Sequence, residues 1–148
     1  MTQSGVMTRK HSTQREAVYN FLRGRKDHPT ADVIYQGVRE EIPNISLGTV
    51  YRNLMVLRDE GRIRTVDVGD GVVHFDFDVR EHDHFVCRKC GCVQDLPARG
   101  RECFPTDMFQ EFDGQIEGCS VYFYGVCADC LKKRSDKAVR NPRRGPGA

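Results

Sequence analysis

Four of the seven cysteines stand as two C-x2-C pairs, Cys87-Arg88-Lys89-Cys90 and Cys127-Ala128-Asp129-Cys130, with 36 residues between them. A C-x2-C turn presents both sulfurs to one ion, and two such turns make the closed tetrahedral thiolate site that suits structural Zn(II). Gly91, directly after the first pair, permits the tight turn that the pair needs. An ion held here would pin the C-terminal end of the chain to the start of its second half, a useful staple because about 60 residues bury little core alone. C-x2-C also serves thiol–disulfide exchange, but there it stands singly beside a strand–helix–strand unit, and none is evident. Cys92, Cys103 and Cys119 fall outside the pattern and read as small buried hydrophobes.

A second group of donors carries nitrogen and oxygen. His82-Asp83-His84 is an H-x-H run. In a strand, residues two apart share a face, so both imidazoles can reach one ion, although two surface histidines are the plainer reading. Asp95 falls on the next expected strand, where pairing across the knuckle brings it close. Asp76 lies between Phe75 and Phe77, and a carboxylate among aromatics needs a partner. His28 precedes the second expected helix. Nothing in its spacing joins it to the others, and it also reads as an exposed turn histidine.

The elements that must position these residues fall into two sets. A T-x-x-E capping box, Thr13 to Glu16, opens an expected helix with Ala17, Val18, Phe21 and Leu22 at helical spacing, after a frayed polar start. Thr30 caps a second helix, over 30–41, that buries Val33, Ile34, Gly37 and Val38. Ser46 caps a third, ended by Gly61, whose apolar positions are Leu47, Val50, Leu54 and Leu57. Thr49, Arg52 and Asn53 are left largely off the core face, with Tyr51 near its edge. Strands over 63–68 and 72–77 are joined by Gly69-Asp70-Gly71, a hairpin signal. Three helices and a ribbon is the order of a winged helix-turn-helix, which lays its second helix in the DNA major groove, though many three-helix segments bind nothing.

A charged hinge at 78–81 leads to a second unit, with strands over 82–87, 92–96 and 120–125 and a helix over 106–112. The expectation is therefore an α+β chain: a winged helix-turn-helix domain at 1–77, the hinge at 78–81, an α/β domain at 82–131, and a basic disordered tail at 132–148. The net charge of +2 divides into +1 over 1–80, −5 over 81–130 and +6 over 131–148. The tail reads as a solvated charge run in preference to a phosphate-seeking arm. No apolar run approaches the ~20 residues of a membrane span, and the first ten residues lack the apolar core of a secretory signal. The reading is cytoplasmic, where seven cysteines point to metal or redox chemistry and not to a disulfide framework.

These motifs together resemble the ferric-uptake-regulator (Fur) family. The resemblance is carried by His28-Pro29-Thr30-Ala31-Asp32, by Ser46-x-x-Thr49-Val50-Tyr51-Arg52-Asn53-Leu54, by Phe75-Asp76, by His82-Asp83-His84-x-x-Cys87-x-x-Cys90-Gly91 and by Tyr124-Gly125-Val126-Cys127-x-x-Cys130. It covers roughly residues 12–131. It implies a winged-helix domain, a hinge and an α/β dimerisation domain, working as a homodimer on a palindromic double-stranded DNA operator. It implies structural Zn(II) on Cys87, Cys90, Cys127 and Cys130, agreeing with the spacing. It implies a regulatory metal on His28, Asp76, His82, His84 and Asp95, and DNA contacts from the third helix at Thr49, Tyr51, Arg52 and Asn53.

Within the family the chain is most similar to the peroxide regulator (PerR) branch, because Asp95 stands where iron-uptake regulators more often carry Glu. Arg52 and the His82-Asp83-His84 run are closer to iron-uptake regulators. A further family metal site draws on a histidine near Gly118-Cys119-Ser120; none is there, so that site is not expected. Three imidazoles and two carboxylates without thiolate favour Fe(II) or Mn(II). The resemblance implies that with iron bound, peroxide oxidises His28 or His82, the metal is lost and the operator released. The alternatives are an iron-uptake regulator answering to Fe(II) availability, a zinc-uptake regulator and, from another class, a small redox protein using the cysteine knuckles with iron. No nucleophile motif points to an enzyme, and no membrane or small organic substrate is expected as a partner.

Overall fold

The structure, a computed structural model, describes residues 4–98, 109–117 and 121–139. Contacts divide the chain into Met1–Glu81 and His82–Ala148. The first unit holds helices α1 (Ser4–Leu22), α2 (Ala31–Glu41) and α3 (Leu47–Asp59), then strands β1 (Arg64–Val66) and β2 (His74–Asp76). β1 and β2 pair antiparallel, Val66 opposite His74 and Arg64 opposite Asp76. This is a winged helix-turn-helix. Its core joins Val18 and Leu22 of α1, Ile34 and Val38 of α2, Val50, Leu54 and Leu57 of α3, and Phe75 of β2.

α3 forms where the sequence places it, and its ends show why. The Ser46 hydroxyl accepts the Thr49 amide N–H at 3.1 Å, satisfying one of the donors that a helix start leaves unpaired. At the other end the Gly61 amide donates to Arg58 O and the Arg62 amide to Leu57 O, each at 2.9 Å. That double closure needs a left-handed residue, and Gly61 supplies it at φ 70°. Thr30 precedes α2 with extended backbone but without a side-chain capping bond.

Four expectations for this unit are corrected. α1 begins at Ser4, so Thr13 lies inside the helix and no capping box forms there; the run before it contains no Pro and only one Gly, so nothing stops the helix continuing. Glu16 accepts instead from Arg62 at 3.1 Å, whose guanidinium lies over the Tyr19 ring. Val33 is 45 % exposed, because the buried stripe of α2 runs through Ala31, Ile34 and Val38. Asn53 is buried, sharing the face of Val50 and Leu57, and its Nδ2 donates to Thr49 O at 3.0 Å. The wing strands are shorter than expected: pairing stops at Val66 and His74, leaving a longer loop than the tight glycine hairpin.

The second unit holds β3 (Asp83–Cys87), β4 (Val93–Leu96), β5 (Tyr122–Gly125) and α4 (Ala128–Val139). The sheet order is β4-β3-β5, with β4 antiparallel and β5 parallel to the central β3. An α/β arrangement with a cysteine cluster is thus present. The helix expected over 106–112 lies partly outside the described residues; Phe109 to Phe112 closes a turn at 3.0 Å. Cys103, Cys119 and Ser120 also lie outside them. Residues 132–139, expected as disordered tail, continue α4; Lys, Arg and Ala are good helix formers, and Asp129 in the first turn suits the positive helix end. Among the described residues no helix is long and apolar enough to cross a membrane.

Candidate metal centres and nucleic-acid interface

The thiolate site is built on the ends of β3 and β5. β3 and β5 run side by side, Cys87 opposite Gly125, so the chain leaves both strands at the same end and each exit carries a C-x2-C turn. Cys87 O accepts the Gly91 amide at 2.8 Å, and Gly91 sits at φ 75°, closing the first turn. The Arg88 amide donates to Gly125 O at 2.8 Å, tying the two exits together. One ligand atom from each of Cys87, Cys90, Cys127 and Cys130 then lies within 4.8 Å of the rest. Cys90 and Cys127 sulfurs are 3.7 Å apart; two sulfurs each about 2.3 Å from one ion at the tetrahedral angle stand ~3.8 Å apart. The four residues therefore fit a zinc ion.

The cluster's protons are already unevenly held. Amide N–H groups of Cys127 and Cys90 point at the Cys87 sulfur, the first at 3.3 Å, and hold its thiol at about 6 against the opposing effect of burial. The Cys130 thiol is pushed up to about 12, first by its hydrogen bond to Cys127 and then by burial. Backbone donors thus hold the Cys87 and Cys90 thiols low while Cys130 resists ionising, a set that a dication would ionise together. Cys92 is not one of the four; burial first, and then Cys90 and Cys127, push its thiol up to about 12.

The nitrogen and oxygen donors form two groups, one in each unit. In the first unit His28 Nε2 stands 3.4 Å from Asp76 Oδ2, with both side chains fully buried. Spacing gave no reason for this meeting. The backbone does: Thr30 bridges to His74 and the Phe75 amide donates to Pro29 O at 3.0 Å, so residues 28–30 lie along β2 like a third strand. The Asp78 amide donates to Asp76 Oδ1 at 2.9 Å and orients the carboxylate. His28 has φ 50°, a left-handed conformation that costs a non-glycine residue roughly 1–2 kcal/mol.

In the second unit the strand register does the work. His84 is directly opposite Asp95, and His82 shares the His84 face. Both imidazoles approach one carboxylate oxygen, His82 Nε2 at 2.9 Å and His84 Nε2 at 3.5 Å from Asp95 Oδ1, with ring centroids 4.5 Å apart. Two buried nitrogens and an oxygen converging this way can serve a divalent ion.

One residue near these sites was missed. His74 is buried, with Nδ1 2.9 Å from His28 O and Nε2 2.7 Å from Asp70 Oδ2. Burial raises the Asp70 carboxyl, but hydrogen bonds from His74 and the Val72 amide outweigh it and hold the group below the usual carboxylate range. The only clue in the sequence was the His two residues before Asp76.

On α3, Tyr51 and Arg52 are exposed and Thr49 is half-buried. Arg52 donates to Thr49 Oγ1 at 3.1 Å, and that oxygen is 2.9 Å from Ser46 Oγ. The exposed face of a helix-turn-helix second helix thus carries a held guanidinium. Asn53, buried against the core, is withdrawn from the candidate DNA contacts.

With these sites described, the chain can be placed among known proteins. The model of the Ferric uptake regulator family matches residues 7–124, and the chain belongs to that family. The Peroxide operon regulator of Bacillus subtilis is 35 % identical over 127 residues, 82 % of this chain and 84 % of that protein. The Peroxide-responsive repressor PerR of Staphylococcus aureus is 34 % identical over 135 residues, 90 % of this chain and 88 % of that one. The crystal structure of the Campylobacter jejuni peroxide stress regulator superposes with a TM-score of 0.67 at 29 % identity, covering 88 % of this chain and all of that one.

Proposed function

We propose that the protein is a metal-dependent transcriptional repressor that senses peroxide and acts as a homodimer on palindromic operator DNA, a cytoplasmic regulator and not an enzyme. The observation that carries this is the division of one ligand type between the two units. His28 and Asp76 are buried together before Glu81, and His82, His84 and Asp95 converge after it. Asp76 and His82 are six residues apart, a span of at most ~20 Å when extended, so a single Fe(II) or Mn(II) drawing on all five residues would hold the two units in one arrangement. Zn(II) on Cys87, Cys90, Cys127 and Cys130 is the structural ion of this reading.

In a dimer, that arrangement sets the distance between two α3 helices, and operator half-sites lie about 34–36 Å apart or a multiple of it. Tyr51, Arg52 and Thr49 would present the reading face. Binding of metal and of DNA then favour one another, and the linkage is reciprocal. Bound Fe(II) would supply the electrons that reduce peroxide beside the ligand imidazoles. His28 and His82 are the side chains whose oxidation would strip the ligand set and release the operator.

The test is operator binding titrated with Mn(II), Fe(II) and Zn(II), with and without peroxide, in the full chain and in His28→Ala. Fe(II)- and Mn(II)-loaded protein should bind; peroxide should release only the iron form, with one oxygen gained by a peptide holding His28 or His82. His28→Ala should lose metal-dependent binding by more than the ~10²-fold typical of outer-shell changes. Iron-dependent binding that ignores peroxide would favour the iron-uptake reading to which Arg52 points, and binding specific to Zn(II) the zinc-uptake one.

A further inference from the structure

His74 belongs to neither ligand set, yet it is 8 % exposed and both ring nitrogens are engaged. Nδ1 is 2.9 Å from His28 O and Nε2 2.7 Å from Asp70 Oδ2, so the one ring spans the two partners. The imidazole is therefore a strut with two fixed ends. One end is the backbone of His28, held at φ 50°, which an L side chain rarely adopts by its own preference. The other is Asp70 in the loop between β1 and β2, whose Oδ1 accepts the Val72 amide at 3.1 Å. Asp70 makes no contact with Asp76 or the His28 ring among the interactions described above. Its connection to the His28–Asp76 pair runs through His74.

We propose that His74 is a positioning residue that couples the wing loop, residues 67–73, to the His28–Asp76 pair, so that divalent metal bound by that pair orders the wing and an ordered wing strengthens metal binding. This rests on the reading of His28 as a metal ligand. The physical basis is linkage: a strut that fixes the loop also fixes the carbonyl of the residue carrying the imidazole, and any ligand that selects one His28 conformation selects the matching loop conformation. The device would make the wing loop, as well as the spacing of the α3 helices, answer to the metal.

The test uses the zinc-replete full-length dimer with Mn(II) as the probe. Amide hydrogen exchange of residues 67–73 and the Mn(II) dissociation constant are measured in the wild type, Asp70→Ala, Asp70→Asn, His74→Phe and His28→Ala. Mn(II) should slow exchange of the loop in the wild type. Asp70→Ala and His74→Phe should abolish that slowing and weaken Mn(II) binding by about 10-fold, the lower end of outer-shell effects. Asp70→Asn keeps an oxygen acceptor for Nε2 and should restore both. A loss of packing alone would change neither the metal-dependent slowing nor its recovery in Asp70→Asn. If loop exchange ignores Mn(II) and Asp70→Ala binds it as the wild type does, while His28→Ala does not bind, the coupling is wrong and the ligand reading stands. If His28→Ala binds Mn(II) normally, both fall. Asp70 lies in a loop, its side chain one-third exposed, so its variants fold even where His74→Phe does not.

Discussion

The described residues of the first unit bury fourteen apolar side chains, from Ala17 to Phe75, whereas those of the second bury four, Val86, Cys87, Val93 and Cys127, two of them in the cysteine cluster. Each fully buried Val, Leu or Phe contributes roughly 1.5–3 kcal/mol against a large entropic cost of ordering. Fourteen such residues, spread over three helices, both wing strands and the segments beside them, make a unit that packing can hold. Among the described residues the second unit buries a smaller apolar set, and it leaves Tyr122, Phe123 and Tyr124 of β5 between 39 % and 58 % exposed. Its remaining supports are the sheet, the proposed homodimer contact and whatever cross-links β3 to β5 at their shared end. The comparison sets up a division of labour to test: one unit cohesive by its packing, the other drawing on an ion at the shared end of β3 and β5.

The sharpest way to break this contrast is to remove the ion. Binding of a structural Zn(II) by four thiolates is worth about 10–16 kcal/mol near neutral pH, as much as a whole domain's net stability of roughly 5–15 kcal/mol. Exhaustive chelation, or Cys127→Ser, should therefore abolish the cooperative unfolding of the second unit and turn the dimer into monomer by sedimentation. The helical signal of the first unit should persist and melt in its own transition. A single transition, unmoved by chelation, would mean that the second unit holds by packing after all.

The mirror experiment weakens the packed unit and spares the other. Leu54 is fully buried at the centre of the three-helix core. Leu54→Ala should cost about 3 kcal/mol, a fall on the order of 15 °C in the first unit's Tm, while zinc stoichiometry and self-association stay as they were. If the zinc site or the dimer weakens alongside, the two units are not energetically separable.

How much of this was legible beforehand follows the same division. Where a feature is local, the sequence displays it: Ser46 and Gly61 bracket α3, the C-x2-C pairs and Gly91 announce the cluster, and the H-x-H run with Asp95 needs only one strand register. Where a feature depends on pairing between distant segments, it does not. His28 meets Asp76 because residues 28–30 lie against β2, and no spacing rule yields that; only family likeness joined them. His74 was invisible for the same reason, since its partners are a carbonyl 46 positions away and a loop carboxylate. Asn53 was misplaced because a polar side chain can sit on a buried face when it reaches a carbonyl four residues back, as it does at Thr49. The ends of α1 and α4 escaped because charged helix formers read equally well as tail.

The finest probe of the packed unit is Gly37, where α2 passes the Phe21 ring of α1. A Cβ built there would be driven into the ring edge, and the Arg25 guanidinium lies over the same ring, 4.4 Å from its centroid. Two effects compete in Gly37→Ala. The helix gains about 0.5–1 kcal/mol from replacing glycine in its interior, while forcing the ring aside costs about 1–3 kcal/mol in a well-packed site. Overlap so close makes the second effect larger, so the expected net is a loss of about 1 kcal/mol, confined to the first unit's transition. Phe21→Leu in the same background removes the obstructing ring edge and should recover part of that loss in a double-mutant cycle. A Gly37→Ala protein more stable than the parent would show that α1 and α2 slide apart freely, and that the first unit is less tightly packed than its buried residues imply.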